Sequence, residues 1–240
     1  MTEWPLLIID NYLFWHYKLL VGHEIADVTN GMIKQYEKIF TFNDLKFHSK
    51  TMIRSNEKKS RGKNTNNTAN EVDAPVATKG TVSLFQFEKT TDEEIMFLQV
   101  LDIVASHFGE KINFLCVECE TSELEQLDSL ELPDTPCLLR AKDSNPIEYR
   151  VIIDKVAVWY NTDFVKAFQY FFASTYVFNR IYNDNLAATL LFVEMYASPI
   201  RSKHRSKARH HTVVLSKVMG LYNKLRDVNV PTSSSSSSSS

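Results

Sequence analysis

The chain has 240 residues, 44% of them apolar, and a formal charge of -2, enough for one large domain or two small ones built around a real core. Six glycines argue against a glycine-punctuated cofactor fold and against most barrels, while fifteen Phe and ten Tyr point to a core rich in aromatics. Three cysteines are too few, and an odd number, for a disulfide scaffold.

The near-neutral total hides local fields. The segment 46–63 carries seven bases (Lys46, Lys50, Arg54, Lys58, Lys59, Arg61, Lys63) against Glu57. Seven acids and no base occupy 118–134, and 201–211 holds five bases with three histidines. The opening MTEWPLLIIDNYLFW has Glu3 and Asp10 and no basic n-region, so no signal peptide is expected. No run approaches the roughly eighteen uninterrupted apolar residues of a membrane helix. Together with the cysteine count, this favours an intracellular protein, cytoplasmic or nuclear.

In chain order, 6–47 reads as mostly helical. Tyr12–Val21 is apolar nearly all round and ends at Gly22. Met32, Ile33, Tyr36, Ile39 and Phe40 define a helix over Thr29–Phe40 with Asn30 as its cap, and Phe42–Phe47 is ambiguous. Ser55–Thr78 has little to bury and reads as a polar linker or loop. Thr81–Phe87 alternates as a strand does. Thr91 and Glu94 form a capping box for a helix running to Phe108, with Ile95, Leu98, Leu101 and Phe108 inward and Gln99 and Asp102 turned away. Val100, Ile103 and Val104 broaden that stripe, and Gly109 stops the helix.

Ile112–Val117 reads as a strand, and Glu120–Leu130 as a short acidic helix with Leu124, Leu127 and Leu130 on one face. After a proline-bounded turn at Leu132–Pro136, Cys137–Leu139, Tyr149–Ile153 and Val156–Tyr160 read as strands, the last two joined by a two-residue turn at Asp154–Lys155. Asn161 or Thr162 caps the next helix, which buries Phe164, Ala167, Phe168, Phe171, Phe172, Thr175 and Phe178. Asn183-Asp184-Asn185 is a turn, and Leu186–Ala197 a second helix facing inward at Leu186, Thr189, Leu190 and Val193, ended by Ser198–Pro199. A last helix, Val213–Leu225, carries Val214, Val218, Leu221, Tyr222 and Leu225. The serine run 233–240 has nothing to bury.

This order predicts an α+β fold: helix-rich, with a small, mainly antiparallel sheet of about three to five strands. The expected organisation is an N-terminal, mostly helical segment at 1–54, a flexible polar linker at 55–80, an α+β main domain at 81–228 and a disordered serine tail at 229–240.

Cys116-Val-Glu-Cys119 has the spacing of a redox pair or of two zinc ligands, with Cys137 as a third and His107, His204, His210 or His211 as a fourth. No second C-x-x-C or H-x3-H completes the set. Neighbouring acids at 118, 120, 123 and 125 oppose thiolate formation, and small buried hydrophobes is the plainer reading of these thiols. The basic runs supply candidate phosphate contacts at Lys58, Lys59, Arg61, Lys63, Arg201, Lys203, Arg205, Lys207 and Arg209. A solvated linker fits the second run equally well, and with no aromatic within it base stacking by that run is not suggested. No G-x-S-x-G and no phosphate-cradling glycine loop is present. Asp10 and Asp154 each end an apolar run, as metal-dependent nuclease carboxylates do, although a hairpin turn explains Asp154.

Tyr176-Val177-Phe178-Asn179, at the end of the aromatic helix, resembles a motif in the C-terminal region of a group of uncharacterised animal proteins, some related to sterile-alpha-motif-domain proteins and some associated with transposable elements. The resemblance spans about Glu94–Leu225. Ile181-Tyr182-Asn183 departs where those proteins have Tyr-Pro, and Leu191-Phe192-Val193-Glu194 approximates their Phe-Leu-Gln. It implies a shared fold unit, with an interaction module as its reading, and it carries over no activity or catalytic residue. A compact five-helix sterile alpha motif is not evident.

The leading expectation is therefore a non-enzymatic interaction or scaffold module with a protein partner and no cofactor. The alternatives are a nucleic-acid-associated protein using 46–63 and 201–211, and a metal-dependent enzyme with zinc at the cysteines.

Overall fold

The computed structural model describes residues 10–46, 89–196 and 207–229. The linker, the strand expected at Thr81–Phe87, the Ser198–Pro199 helix end and the serine tail lie outside the described residues.

α1 (Asp10–Val21) stops where Gly22 takes φ +85°, a left-handed conformation open to glycine at little cost. α2 (Ile25–Lys34) starts a turn earlier than its pattern suggested: Ile25 and Val28 continue the buried stripe of Met32 upstream, so Asn30 is an interior residue and not a cap. Gln35 interrupts the helix, and α3 covers 36–46, absorbing the ambiguous 42–46.

α4 (Glu93–Phe108) is capped by Asp92, not Thr91: its carboxylate accepts from the Glu94 and Ile95 amides at 3.0 and 3.1 Å. Glu94 does not close a capping box. Its carboxylate reaches the Phe164 amide instead, at 3.2 Å. Phe97 to Ala105 are all buried, Gln99 and Asp102 included, whereas Ile95 is exposed. The outward turn expected of Gln99 fails because Tyr36 donates its hydroxyl to the Gln99 Oε1 at 2.8 Å, satisfying an amide that would otherwise be costly to bury. Gly109, at φ +75°, ends the helix.

The expected strand at Ile112–Val117 forms only at its end: a 3₁₀ turn, Ile112–Phe114, precedes β1 (Cys116–Cys119). The expected acidic helix is two separate 3₁₀ turns, Thr121–Glu123 and Leu127–Ser129. Leucines at 124, 127 and 130 recur every three residues, the 3₁₀ period rather than the α period.

β2 (Cys137–Ala141), β3 (Glu148–Ile153) and β4 (Val156–Asn161) complete a sheet of order β1-β2-β3-β4. β1 and β2 are parallel and the other pairs antiparallel. Asp154 and Lys155 both have positive φ, +50° and +61°, the two-residue turn whose twist suits a hairpin. The class is α+β, helix-rich with a mainly antiparallel sheet.

α5 (Phe164–Val177) is capped by Asp163, which accepts from the Lys166 amide at 3.0 Å; Asn161 accepts from the Asp163 amide and so stands outside the helix. α6 (Ala187–Tyr196) follows a 3₁₀ turn at Asp184–Leu186 that Asn183 caps. Both helices are buried nearly all round, beyond the single faces expected. α7 (His211–Arg226) lays Val218, Leu221 and Leu225 inward, while Tyr222 is exposed and edge-on to Tyr196.

One large core joins Leu13, Tyr17, Val28 and Met32 of the N-terminal helices to α4, α5, α6 and the inner face of the sheet. A smaller cluster lies on the sheet's outer face, where Leu124, with Leu127, Leu130 and Leu132 around it, covers Cys119, Cys137, Leu139 and Ile152. The acidic segment is thus an amphipathic cover, with leucines down and most of its carboxylates out.

Candidate functional site

Cys116 and Cys119 sit three apart on a strand, so alternation sends them to opposite faces. Cys116 enters the large core; Cys119 and Cys137 enter the outer cluster. All three are free and buried. Burial pushes the Cys116 and Cys137 thiols up to about 12 and also raises Cys119, with Glu123 adding to it. Desolvation leads at all three; of the acids expected to suppress thiolate, Glu118 acts on Cys116 and Glu123 on Cys119, each behind it. His107 packs against Phe42 and Phe108, with the Lys46 amine 3.4 Å from its Nδ1. Among the described residues, no three His, Cys, Asp or Glu side chains are grouped to hold a metal ion.

Of the candidate phosphate contacts, Lys58, Lys59, Arg61, Lys63, Arg201, Lys203 and Arg205 lie outside the described residues. Lys207 and Arg209 are tied to the 179–184 loop. The Lys207 amine donates to Asn179 Oδ1 at 2.8 Å and lies 5.5 Å from the centre of the Tyr176 ring, while its carbonyl accepts from the Tyr182 amide at 2.9 Å. Arg209 pairs with Asp184 at 3.3 Å, and Ala208 between them is buried. Desolvation lowers the Lys207 amine, and Glu194 partly offsets this.

Below that anchor lies a buried polar cluster with no counterpart in the sequence reading. The Tyr182 hydroxyl donates to Glu194 Oε2 at 3.2 Å and lies 3.1 Å from the Tyr176 hydroxyl. Tyr17 packs edge-on against Tyr176, and its own hydroxyl has no hydrogen-bond partner among the described residues. Burial holds the Glu194 carboxyl above the usual carboxylate range and keeps Tyr17, Tyr176 and Tyr182 well above ordinary tyrosines. The cluster fastens the connection between α5 and α6 and supplies a counter-charge for Lys207. Tyr182 was hidden in a segment that reads as a turn. Glu194 left a visible sign, a lone acid inside the apolar run LLFVEMY.

A second polar group lies at the helix–sheet junction, where Arg140 pairs with Glu118 at 2.6 Å and bonds Tyr149, whose phenol burial pushes up to about 12. A cavity of about 10 Å³ between α1, α5 and the β3–β4 hairpin is lined chiefly by Leu13, Val158, Trp159, Tyr170 and Phe178, room for about one water.

The conspicuous surface feature is α1. Leu13 and Tyr17 are buried, and Phe14 packs 4.5 Å from the Tyr170 ring on α5. On the opposite face Tyr12, Trp15 and Leu19 are 52%, 57% and 62% exposed, aligned by their i, i+3, i+7 spacing. No helix among the described residues is long and apolar enough to cross a membrane. Neither family models, nor curated proteins, nor solved structures give a match to the chain.

Proposed function

We propose that this protein is a non-enzymatic interaction module that binds another protein through the outward face of α1. The observation that carries this reading is the exposed row Tyr12, Trp15 and Leu19 on a helix whose other side is locked into the core. Aromatic anchors of this kind dominate binding energy at protein interfaces, and an i, i+3, i+7 row is the register in which a helix enters an apolar groove. The groups equipped for chemistry are turned to internal use: Glu110 and Glu94 hold helix ends, Glu194 holds tyrosines, and the thiols are buried and protonated.

The test is direct. A partner captured by the full chain is purified and its affinity measured against Trp15→Ala and Leu19→Glu, both at exposed positions. Trp15→Ala is expected to weaken binding by at least about tenfold, the scale of an interface hot spot, with an unchanged melting temperature. Unchanged affinity in both variants would refute the reading. Salt-sensitive binding of DNA or RNA that survives both variants and is lost with the lysines and arginines of 46–63 and 201–211 would replace it with the nucleic-acid account.

A further inference from the structure

We infer that the exposed side of α7 docks on the acidic cover of a second copy, joining copies head to tail. This surface is separate from the outward face of α1, and the inference does not depend on a partner binding there.

α7 turns Val218, Leu221 and Leu225 into the main core. Its exposed side carries Lys217, Lys224 and Arg226, and the helix contains no acid. Among the described residues Lys217 and Lys224 hold no ion pair, and Arg226 reaches only its neighbour Asp227, at 3.8 Å. Lys217, Gly220 and Lys224 have the i, i+3, i+7 spacing that aligns positions along a helix. A glycine inside a helix is destabilising relative to alanine, yet no atom lies within 4 Å of where a Cβ on Gly220 would sit. The low centre between the two lysines lets another surface come close to the helix backbone. Val213 and Met219, 64% and 37% exposed, add apolar contact beside it.

Charge selects the occupant. The cover belongs to a stretch, 118–134, with seven acids and no base. Arg140 takes Glu118, Lys142 takes Glu120 and Arg150 takes Glu125, while Glu123 accepts from the Glu120 amide. Asp128, Glu131 and Asp134 remain exposed, with no ion pair among the described residues. Three acids thus match three bases on α7 that have no partner from another element. The two sets cannot meet within one molecule, because α7 packs into the core on the inner side of the sheet and the cover lies on its outer side. Docking by the cover satisfies both sets at once, whereas a nucleic acid on α7 would leave the acids unmatched. The contact joins two different surfaces, so copies add in a row. Exposed ion pairs are individually weak and screened by salt, so the association is reversible and falls with ionic strength.

The experiment is sedimentation velocity on the full chain from about 5 to about 500 µM, a range suited to weak association, at about 0.05 and about 0.5 M salt. The expected result is a sedimentation coefficient that rises with concentration at the lower salt and stays flat at the higher. Lys217→Glu combined with Lys224→Glu should give a monomer at the lower salt, and so should Asp128→Lys combined with Glu131→Lys. All four positions are exposed, so neither pair of changes should shift the melting temperature. Mixing the two double variants, whose reversed charges complement each other, should restore association. Gly220→Ala should raise the melting temperature while weakening association, and Trp15→Ala should leave association intact. A wild-type monomer throughout, self-association that persists in either double variant, a mixture that stays monomeric, or association untouched by Gly220→Ala would each overturn the inference. So would association abolished by Trp15→Ala, which would place the contact on α1. Binding of a duplex oligonucleotide through Lys217 and Lys224, by a chain that does not self-associate, would overturn it as well and make the occupant of α7 a nucleic acid.

Discussion

Removing the Glu110 carboxylate should destabilise the protein far more than a half-buried acid in a connection ordinarily would. Glu110 follows Gly109 at the end of α4, and its carboxylate accepts from the Ala188 amide at 2.9 Å, the Thr189 amide at 2.8 Å and the Thr189 hydroxyl at 2.6 Å. Those donors open α6, and their residues are 3% and 0% exposed. A hydrogen bond to a charged group contributes about 1.5–3 kcal/mol, and a buried donor left unsatisfied costs about 1–3. Three bonds to one carboxylate are not additive, and water can enter from the Glu110 side, so Glu110→Ala is expected to cost about 3 kcal/mol. Glu110→Gln keeps one oxygen acceptor at the helix end without the charge and should cost about half of that. In a protein of this size the alanine change lowers the melting temperature by about 6–12 °C. Urea unfolding followed by circular dichroism at constant m measures it. A loss below about 0.5 kcal/mol, the level of an ordinary surface substitution, would refute the capping role.

Two further outcomes follow from buried titratable groups. Tyr17, Tyr176 and Tyr182 are all raised by burial, so above pH 10 the unfolded chain has lost phenolic protons that the folded chain retains. Stability then falls by about 1.4 kcal/mol per pH unit per tyrosine; phenolate absorbance at 295 nm should rise together with loss of circular dichroism, and a smooth titration with native dichroism intact would contradict the burial argument. Glu194 is also raised by burial, so its contribution is full below the unfolded glutamate value and is lost as pH rises through its folded value. Glu194→Gln should flatten the stability curve in that window, and a variant curve parallel to the wild type would show that Glu194 does not titrate there.

Where neighbouring residues decide the structure, the sequence was readable. Gly22 and Gly109 ended their helices, Asp154–Lys155 made its turn, and the aromatic run became core. Readings failed where a distant residue intervened. Gln99 points inward because Tyr36 lies 63 residues upstream, and Glu94 abandons its own helix for the Phe164 amide 70 residues on. No periodicity contains those partners. The same limit governed the candidate site: C-x-x-C spacing says nothing until the local conformation is known, and on a strand it separates the thiols it would join on a helix. The buried tyrosine cluster needed a residue from each of several segments, so only its lone acid was visible beforehand. The exposed row on α1 was equally hidden, because an all-round apolar helix does not reveal which side the core takes.

The sheet's two sides are sealed unequally. Helices cover the inner face, while the outer cluster rests under a segment whose only regular structure is two isolated 3₁₀ turns. Such a cover can lift without global unfolding, because few buried contacts hold it. The cysteines are distributed across this divide, two beneath the cover and one within the main core. They form an internal clock: under native conditions a thiol reagent reaches Cys119 and Cys137 at the rate of local opening, whereas Cys116 waits for the whole molecule to come apart.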